Sequence, residues 1–192
     1  MRLLSSLLCI ASLPVLADCP TPGDMTRGVR LTEANGDTET FFEFSNRVVR
    51  GVYNDGTDSG SRYLLQDGIF VIEAFDTLDD HAIPGSRTTF LYPEDAPSKF
   101  EDTRWDVQVI SLIQGEFLNN NESHIFGPKT QVEIGACLFD MVPVISIYHD
   151  LDGYEEQLNY LVDFGFAYLV EMKERDMLPD RFDYIRIEAI NR

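Results

Sequence analysis

From Gly28 onward, short runs of β-branched and aromatic residues are separated by turn signals, and within the runs apolar and polar positions alternate. A period of two predicts half-buried antiparallel strands. Residues 28–34 (GVRLTEA) lead into Asn35-Gly36, a two-residue hairpin pair in which both positions tolerate positive φ. Residues 38–44 (TETFFEF), a turn at Ser45-Asn46 and residues 47–54 (RVVRGVYN) follow. A polar loop over 55–61 (DGTDSGS) then precedes a hairpin of 62–65 and 69–75 around Gln66-Asp67-Gly68. Five strands are thus expected in the first meander.

Between residues 77 and 102 the pattern loosens around Pro84, Pro93 and Pro97, which predicts loop, one short strand at 87–92 and a helical turn. Regularity returns at 104–113, where Trp105, Val107 and Val109 alternate with Asp106 and Gln108, and Asn119-Asn120-Asn121 reads as the tip that ends this strand. In 130–139 the alternation places Val132, Ile134, Ala136 and Leu138 inward, with Gln131, Glu133 and Cys137 outward or toward a neighbour. Residues 142–149 form a further strand before the tight turn HDLDGY, and 181–190 form the last.

Residues 153–173 fit two periods. Tyr154, Leu158, Leu161, Val162, Phe166 and Leu169 suit a helix, whereas Leu158, Tyr160, Val162 and Phe166, Tyr168, Val170 suit two strands broken at 163–165. Gly165 and the aromatic, β-branched content favour the strands. A strand containing Tyr160, a turn ending in Gly165 and a strand opening Phe166-Ala167-Tyr168 resembles the closing hairpin of exported bacterial proteins of the lipoprotein-carrier type. The likeness covers roughly twenty residues and implies a curved antiparallel sheet, a half-barrel over an apolar cavity; no functional residue carries over. In texture the whole chain is similar to exported periplasmic β proteins. The fold expected is therefore all-β or β-dominated: a single antiparallel meander, curved, half-barrel or barrel-like, with little helix.

The N-terminus carries an address. Arg2, an apolar run over 3–13, Pro14 and Val15-Leu16-Ala17 have the form of a secretory signal peptide, residues 1–17, leaving residues 18–192 as one β-rich domain. The run is too short for a membrane helix, no later segment is long and apolar enough to span, and periplasmic or secreted location follows. Leu16-Ala17-Asp18-Cys19 also resembles the bacterial lipoprotein box, from which the charged Asp18 departs, so a lipid anchor at Cys19 is the lesser alternative. Loss of the leader removes Cys9 and leaves Cys19 and Cys137, a pair that an oxidising compartment joins in a disulfide.

Charge narrows the partners. Without Arg2 the chain has 14 basic against 33 acidic residues, a formal charge of −19, which repels phosphate backbones and argues against nucleic acid. With 44% hydrophobic residues it is globular rather than disordered.

Catalytic signatures are thin. Asp58-Ser59-Gly60 resembles the nucleophile stretch of trypsin-like proteases, but all histidines follow Ser59 and Thr57 and Ser61 depart from the wider motif. Asp76, Asp79, Asp80 and His81 cluster, as do Asp150, Asp152, Glu155 and Glu156 around Gly153 after His149. Oxygen-rich loops with a glycine suit Ca²⁺, and Asp150, Asp152 and Glu155 are the weak metal candidates, short of EF-hand spacing. Asn121-Glu122-Ser123 matches a glycosylation sequon. No phosphate-binding glycine loop, CxxC or HExxH is present, and no cofactor or catalytic residue is assigned. The leading reading is a non-catalytic exported envelope protein that binds an apolar small molecule or a protein partner through its sheet, with Phe41, Phe42, Phe44, Phe164, Phe166 and Tyr168 as candidate lining. The rivals are a small secreted hydrolase using His81 or His149, and a calcium-stabilised subunit of an envelope assembly, which an unpaired edge strand or exposed apolar patch would support.

Overall fold

Hairpin follows hairpin in the computed structural model, which describes residues 19–93 and 95–190; residues 1–17, expected from the sequence to be a signal peptide, lie outside the described residues. After a short 3-10 turn, Pro22–Thr26, the first meander comprises β1 (Val29–Glu33), β2 (Thr38–Ser45), β3 (Val48–Asn54), β4 (Ser59–Gln66) and β5 (Phe70–Leu78). Then come β6 (His81–Ala82), β7 (Thr88–Leu91), β8 (Arg104–Ile113), β9 (Glu116–Phe126), β10 (Thr130–Ile134) and β11 (Cys137–Tyr148). The chain ends with β12 (Tyr154–Leu161), β13 (Phe166–Lys173), β14 (Asp180–Arg181) and β15 (Tyr184–Ala189). All belong to one antiparallel sheet in the order β14-β13-β12-β11-β9-β8-β7-β5-β4-β3-β2-β1-β15, with β6 beside β5 and β10 beside β11.

The two ends of that path follow each other in sequence, separated by Phe182 and Asp183. Phe182 N–H donates to the Val170 carbonyl at 3.1 Å, and Ala34 N–H donates to the Asp183 carbonyl at 2.9 Å. The sheet therefore rolls back on itself, although no ladder joins β13 to β15 and it is not closed.

Local chemistry explains the turns. Asp79 and Asp80 (φ 51° and 62°) and Gln114 and Gly115 (φ 51° and 87°) each make a two-residue loop with both positions left-handed, the geometry that matches strand twist. At 34–37 only Gly36 has positive φ, because Asn35 Oδ1 accepts the Asp37 N–H and makes a longer Asx turn than the Asn-Gly pair predicts. The polar loop after β3 is shorter than read, since β4 already starts at Ser59.

Two readings are corrected. The asparagine triplet is not a tip: Asn119, Asn120 and Asn121 pair with Ile110, Val109 and Gln108 in the middle of the β8–β9 ladder. The inward set in 130–139 also fails after Ile134, because the chain reverses at Gly135 and Ala136 and Ile134 pairs with Cys137. Parity is thereby reset, so Cys137 is buried while Leu138 is 61% exposed.

Two apolar clusters fill the roll. The first joins Met25, Val29, Leu31, Phe41, Leu161, Phe166 and Ile187, with the Phe41 and Phe166 rings stacked at 4.0 Å. The second is aromatic-rich, with Phe70, Trp105, Val109, Phe126 and Val144 at its centre. The β12–β13 hairpin feeds both. Leu161, Phe166 and Tyr168 point into the first cluster, and Leu158, Tyr160 and Ala167 into the second, so this hairpin is the wall between them. Full burial of one such ring is worth about 1.5 to 3 kcal/mol, and a stacked pair about 1 kcal/mol more. Cys19 and Cys137 form a disulfide across 118 residues, which uses the thiol that a lipid anchor would need. Among the described residues no helix is long and apolar enough to cross a membrane.

Candidate functional site

Four turns distant in sequence border one cleft. The β2–β3 turn carries Arg47 at φ 63° and the β4–β5 turn carries Asp67 at φ 53°. The two are clamped together, as Arg47 Nε donates to Asp67 Oδ1 at 2.6 Å and Nη2 to Oδ2 at 2.9 Å. The turn at 162–165 abuts the β4–β5 turn, with the Ala167 N–H donating to the Gly68 carbonyl at 2.8 Å, and residues 95–101 complete the border. The 95–101 segment is held by Ala96, which is buried, and by Phe100, whose ring stacks on Phe126 at 4.8 Å. Between these walls is a space of about 1080 Å³. Its floor includes Met25, Val49, Val142, Tyr160 and Phe164, and its rim includes Glu43, Arg47, Asp95, Lys99 and Lys129. The rim cations have partners: Lys99 lies 3.6 Å from Glu101 and Lys129 2.7 Å from Asp140.

Of the aromatic side chains expected to line a concave face, only Phe164 borders this cleft. Phe41, Phe166 and Tyr168 are buried in the first cluster, Phe42 lies under the Arg50 guanidinium, and Phe44 is 57% exposed.

Polar groups are also built into the interior. On β9, Glu122, His124 and Phe126 share the inward face. His124 Nδ1 and Ser146 Oγ share a hydrogen bond of 2.9 Å, and His124 Nε2 lies 3.2 Å from Glu122 Oε2 without hydrogen-bond alignment. Carboxylate, imidazole and hydroxyl are the parts of a nucleophilic triad. Here, however, Ser146 is 2% and His124 3% exposed, sealed by the Phe70 edge at 5.0 Å and the stacked Trp105 ring at 5.7 Å. The group is a packed polar ladder with no approach to the hydroxyl. Beside it Tyr148 and Tyr154 donate to the two oxygens of Glu156 at 2.7 and 2.8 Å, and burial raises the Glu156 carboxyl above its ordinary range.

On the outer face, Ser123 Oγ donates to Asp106 Oδ1 at 2.5 Å and accepts from Arg104 Nη2 at 3.0 Å. With its one proton committed to Asp106, the hydroxyl accepts from His149 Nε2, 2.8 Å away. This saturates Ser123 instead of activating it. The Arg104 and Ser123 hydrogen bonds hold the Asp106 carboxyl at about 2.

The sequence-derived candidates are placed as follows. His81 is exposed on β6 and His149 exposed after β11; the cleft between the turns is bordered by neither, and the shallow hollow at Arg104, Asp106 and Ser123 by His149 alone. Asp79 and Asp80 form the β5–β6 turn, and Asp80 pairs with Arg62 at 3.2 Å. Asp150 accepts the Asn121 backbone N–H at 2.6 Å, Asp152 pairs with Arg175 at 2.6 Å, and Glu155 sits within β12. Among the described residues no three His, Cys, Asp or Glu side chains stand together as metal donors. Ser59 opens β4, exposed, and the sequon Asn121 lies inside β9.

A further buried acid went unread in the sequence. Glu39, at the rim of the first cluster, accepts from the Tyr63 hydroxyl and, at 2.7 Å, from that of Tyr184. Desolvation lifts its carboxyl from 4.5 to about 7 despite those donors, and Glu33 is raised the same way. A raised acid makes the folded state hold its proton where the unfolded state has lost it, so stability falls as pH rises from about 4.5 to 7 and is level above. For Glu39 this amounts to about 3 kcal/mol. Glu39→Gln is expected to be about as stable as wild type at pH 4.5 and more stable at pH 8, read from urea midpoints. An unchanged pH slope in the variant would refute it.

Fold and cleft together describe a rolled all-β protein with a space of ligand size between its turns. Compared with protein-family models, curated proteins and solved structures, the chain matches none.

Proposed function

We propose that this chain is a non-catalytic exported protein that binds an amphiphilic small molecule in the cleft between its turns, the apolar body on the floor and the polar end at the rim. The cleft carries the reading. Ligand sites commonly span about 300 to 1,000 Å³ with an apolar lining and few polar groups, and this one, at about 1080 Å³, has an apolar floor and a charged rim. The Cys19–Cys137 bridge is compatible with an oxidising compartment, as the signal peptide expects. The interior ladder around His124 is sealed, which supports binding over chemistry.

The test is titration with Nile red, a neutral dye whose charge does not meet the acidic surface. Saturable 1:1 fluorescence enhancement is expected, displaced by a long-chain alcohol. Val162→Glu, which places a charge at the cleft wall, is expected to weaken it at least tenfold. A folded wild-type chain that gives no saturable signal, or a variant that binds as well, would sink the proposal.

A further inference from the structure

Strand β9 is longer than its second neighbour. It pairs with β8 over Glu116–Ile125, whereas β11 covers only Glu122–Phe126. At Asn121 the free side is still satisfied, since its carbonyl accepts from His149 N–H at 2.9 Å and its N–H donates to Asp150. In an antiparallel strand alternate residues direct their backbone groups to the same side. Phe117 and Asn119 therefore present N–H and C=O on an open edge of five residues, 116–120.

This edge lacks the usual guards. It has no lysine, proline or bulge, and between Val107 and Asn121 only Glu116 is charged, in a chain of net charge −18. An apolar strip adjoins it on the outer face: Phe117, 76% exposed, lies opposite Leu112, and Leu91, 59% exposed, opposite Ile110.

We infer that β9 pairs antiparallel with β9 of a second copy about a twofold axis at Leu118. The free span fixes that centre. Phe117 then faces Asn119 of the other copy twice, giving four backbone hydrogen bonds, and Glu116 faces Asn120 rather than another acid. Two chains of this acidity repel except along a seam as poor in charge as this one, where the single acid of each copy meets an asparagine, and that self-complementarity is the argument for a second copy as the occupant. The self-pairing register brings no like charges opposite each other. So small an interface belongs to the weak class, with a dissociation constant on the order of tens of micromolar.

Sedimentation velocity of the oxidised protein from about 1 to 300 µM brackets such a constant. The coefficient is expected to rise from the monomer to the dimer value. Asn119→Pro removes an outward N–H, which an edge strand tolerates, and is expected to weaken the dimer at least tenfold with the melting temperature kept. Phe117→Lys, at an exposed site, is expected to do the same. A wild-type chain that stays monomeric at the top of the range, or a dimer untouched by Asn119→Pro in a folded chain, overturns the pairing. If Asn119→Pro does not fold, Phe117→Lys decides in its place.

Discussion

Gly68→Ala is expected to cost more than about 4 kcal/mol, a large share of the roughly 5 to 15 kcal/mol that typically holds a domain folded. A Cβ on Gly68 would overlap the Gly165 carbonyl oxygen and lie 2.7 Å from its carbon and 2.8 Å from Phe166 Cα. These are backbone atoms that no rotamer change can move. The contact is where the β4–β5 turn meets the β12–β13 turn, fixed by the Ala167 N–H donating to the Gly68 carbonyl at 2.8 Å. Relief would displace the wall between the two apolar clusters and the floor of the cleft together. Gly56→Ala separates this from backbone preference: its φ of 74° is nearly that of Gly68 at 70°, yet nothing lies within 4 Å. That control is expected to cost only about 1 to 2 kcal/mol. Urea denaturation of both variants checks the pair, and equal losses would show that conformation, not the contact, matters at Gly68.

Loss of the Cys19–Cys137 bridge is expected to cost about 4 to 5 kcal/mol, because cross-linking across 118 residues removes that much chain entropy from the unfolded state. For a chain of this size the melting temperature should drop by roughly 10 to 20 °C on replacing both cysteines with serine. Cys137 is buried in the first cluster, so serine there adds a packing loss. Reduction of the wild-type protein isolates the entropic part. A drop of only a few degrees in both would mean that the unfolded chain is already compact around this closure.

What the sequence made legible follows from which faces are buried. In β8, Trp105, Val107 and Val109 are buried and Asp106 and Gln108 exposed, so the period of two is clean and the strand is found to the residue. In β12 and β13 both faces are covered, which puts apolar residues at successive positions and lets a helical period fit. β9 escapes the period of two for the opposite reason. Its first half projects beyond the core, where Phe117 and Leu118 are exposed, and three asparagines look like a turn when their ladder partner is not in view. With β9 went the polar interior, because Glu122 and His124 announce themselves as inward only once the strand is known. The disulfide was legible because a compartment argument left only two cysteines. The cleft was not, since 45–48, 67–68, 95–101 and 162–165 share no motif and meet only in the roll.

The return of the last strand to the first has a temporal meaning. β15 supplies Ile187 to the cluster that holds Val29, Leu31 and Phe41, and the Ile190 N–H donates to the Gly28 carbonyl at 2.9 Å. A nascent chain that has made only its first five strands has therefore no cover for the apolar side of that meander. Leu161 and Phe166 bring the main cover more than eighty residues after β5 and Ile187 completes it more than a hundred after, and contacts of such separation make folding slow. Until then those side chains are open to any binder of unfolded polypeptide, so the architecture delays its own completion until β15 has been made.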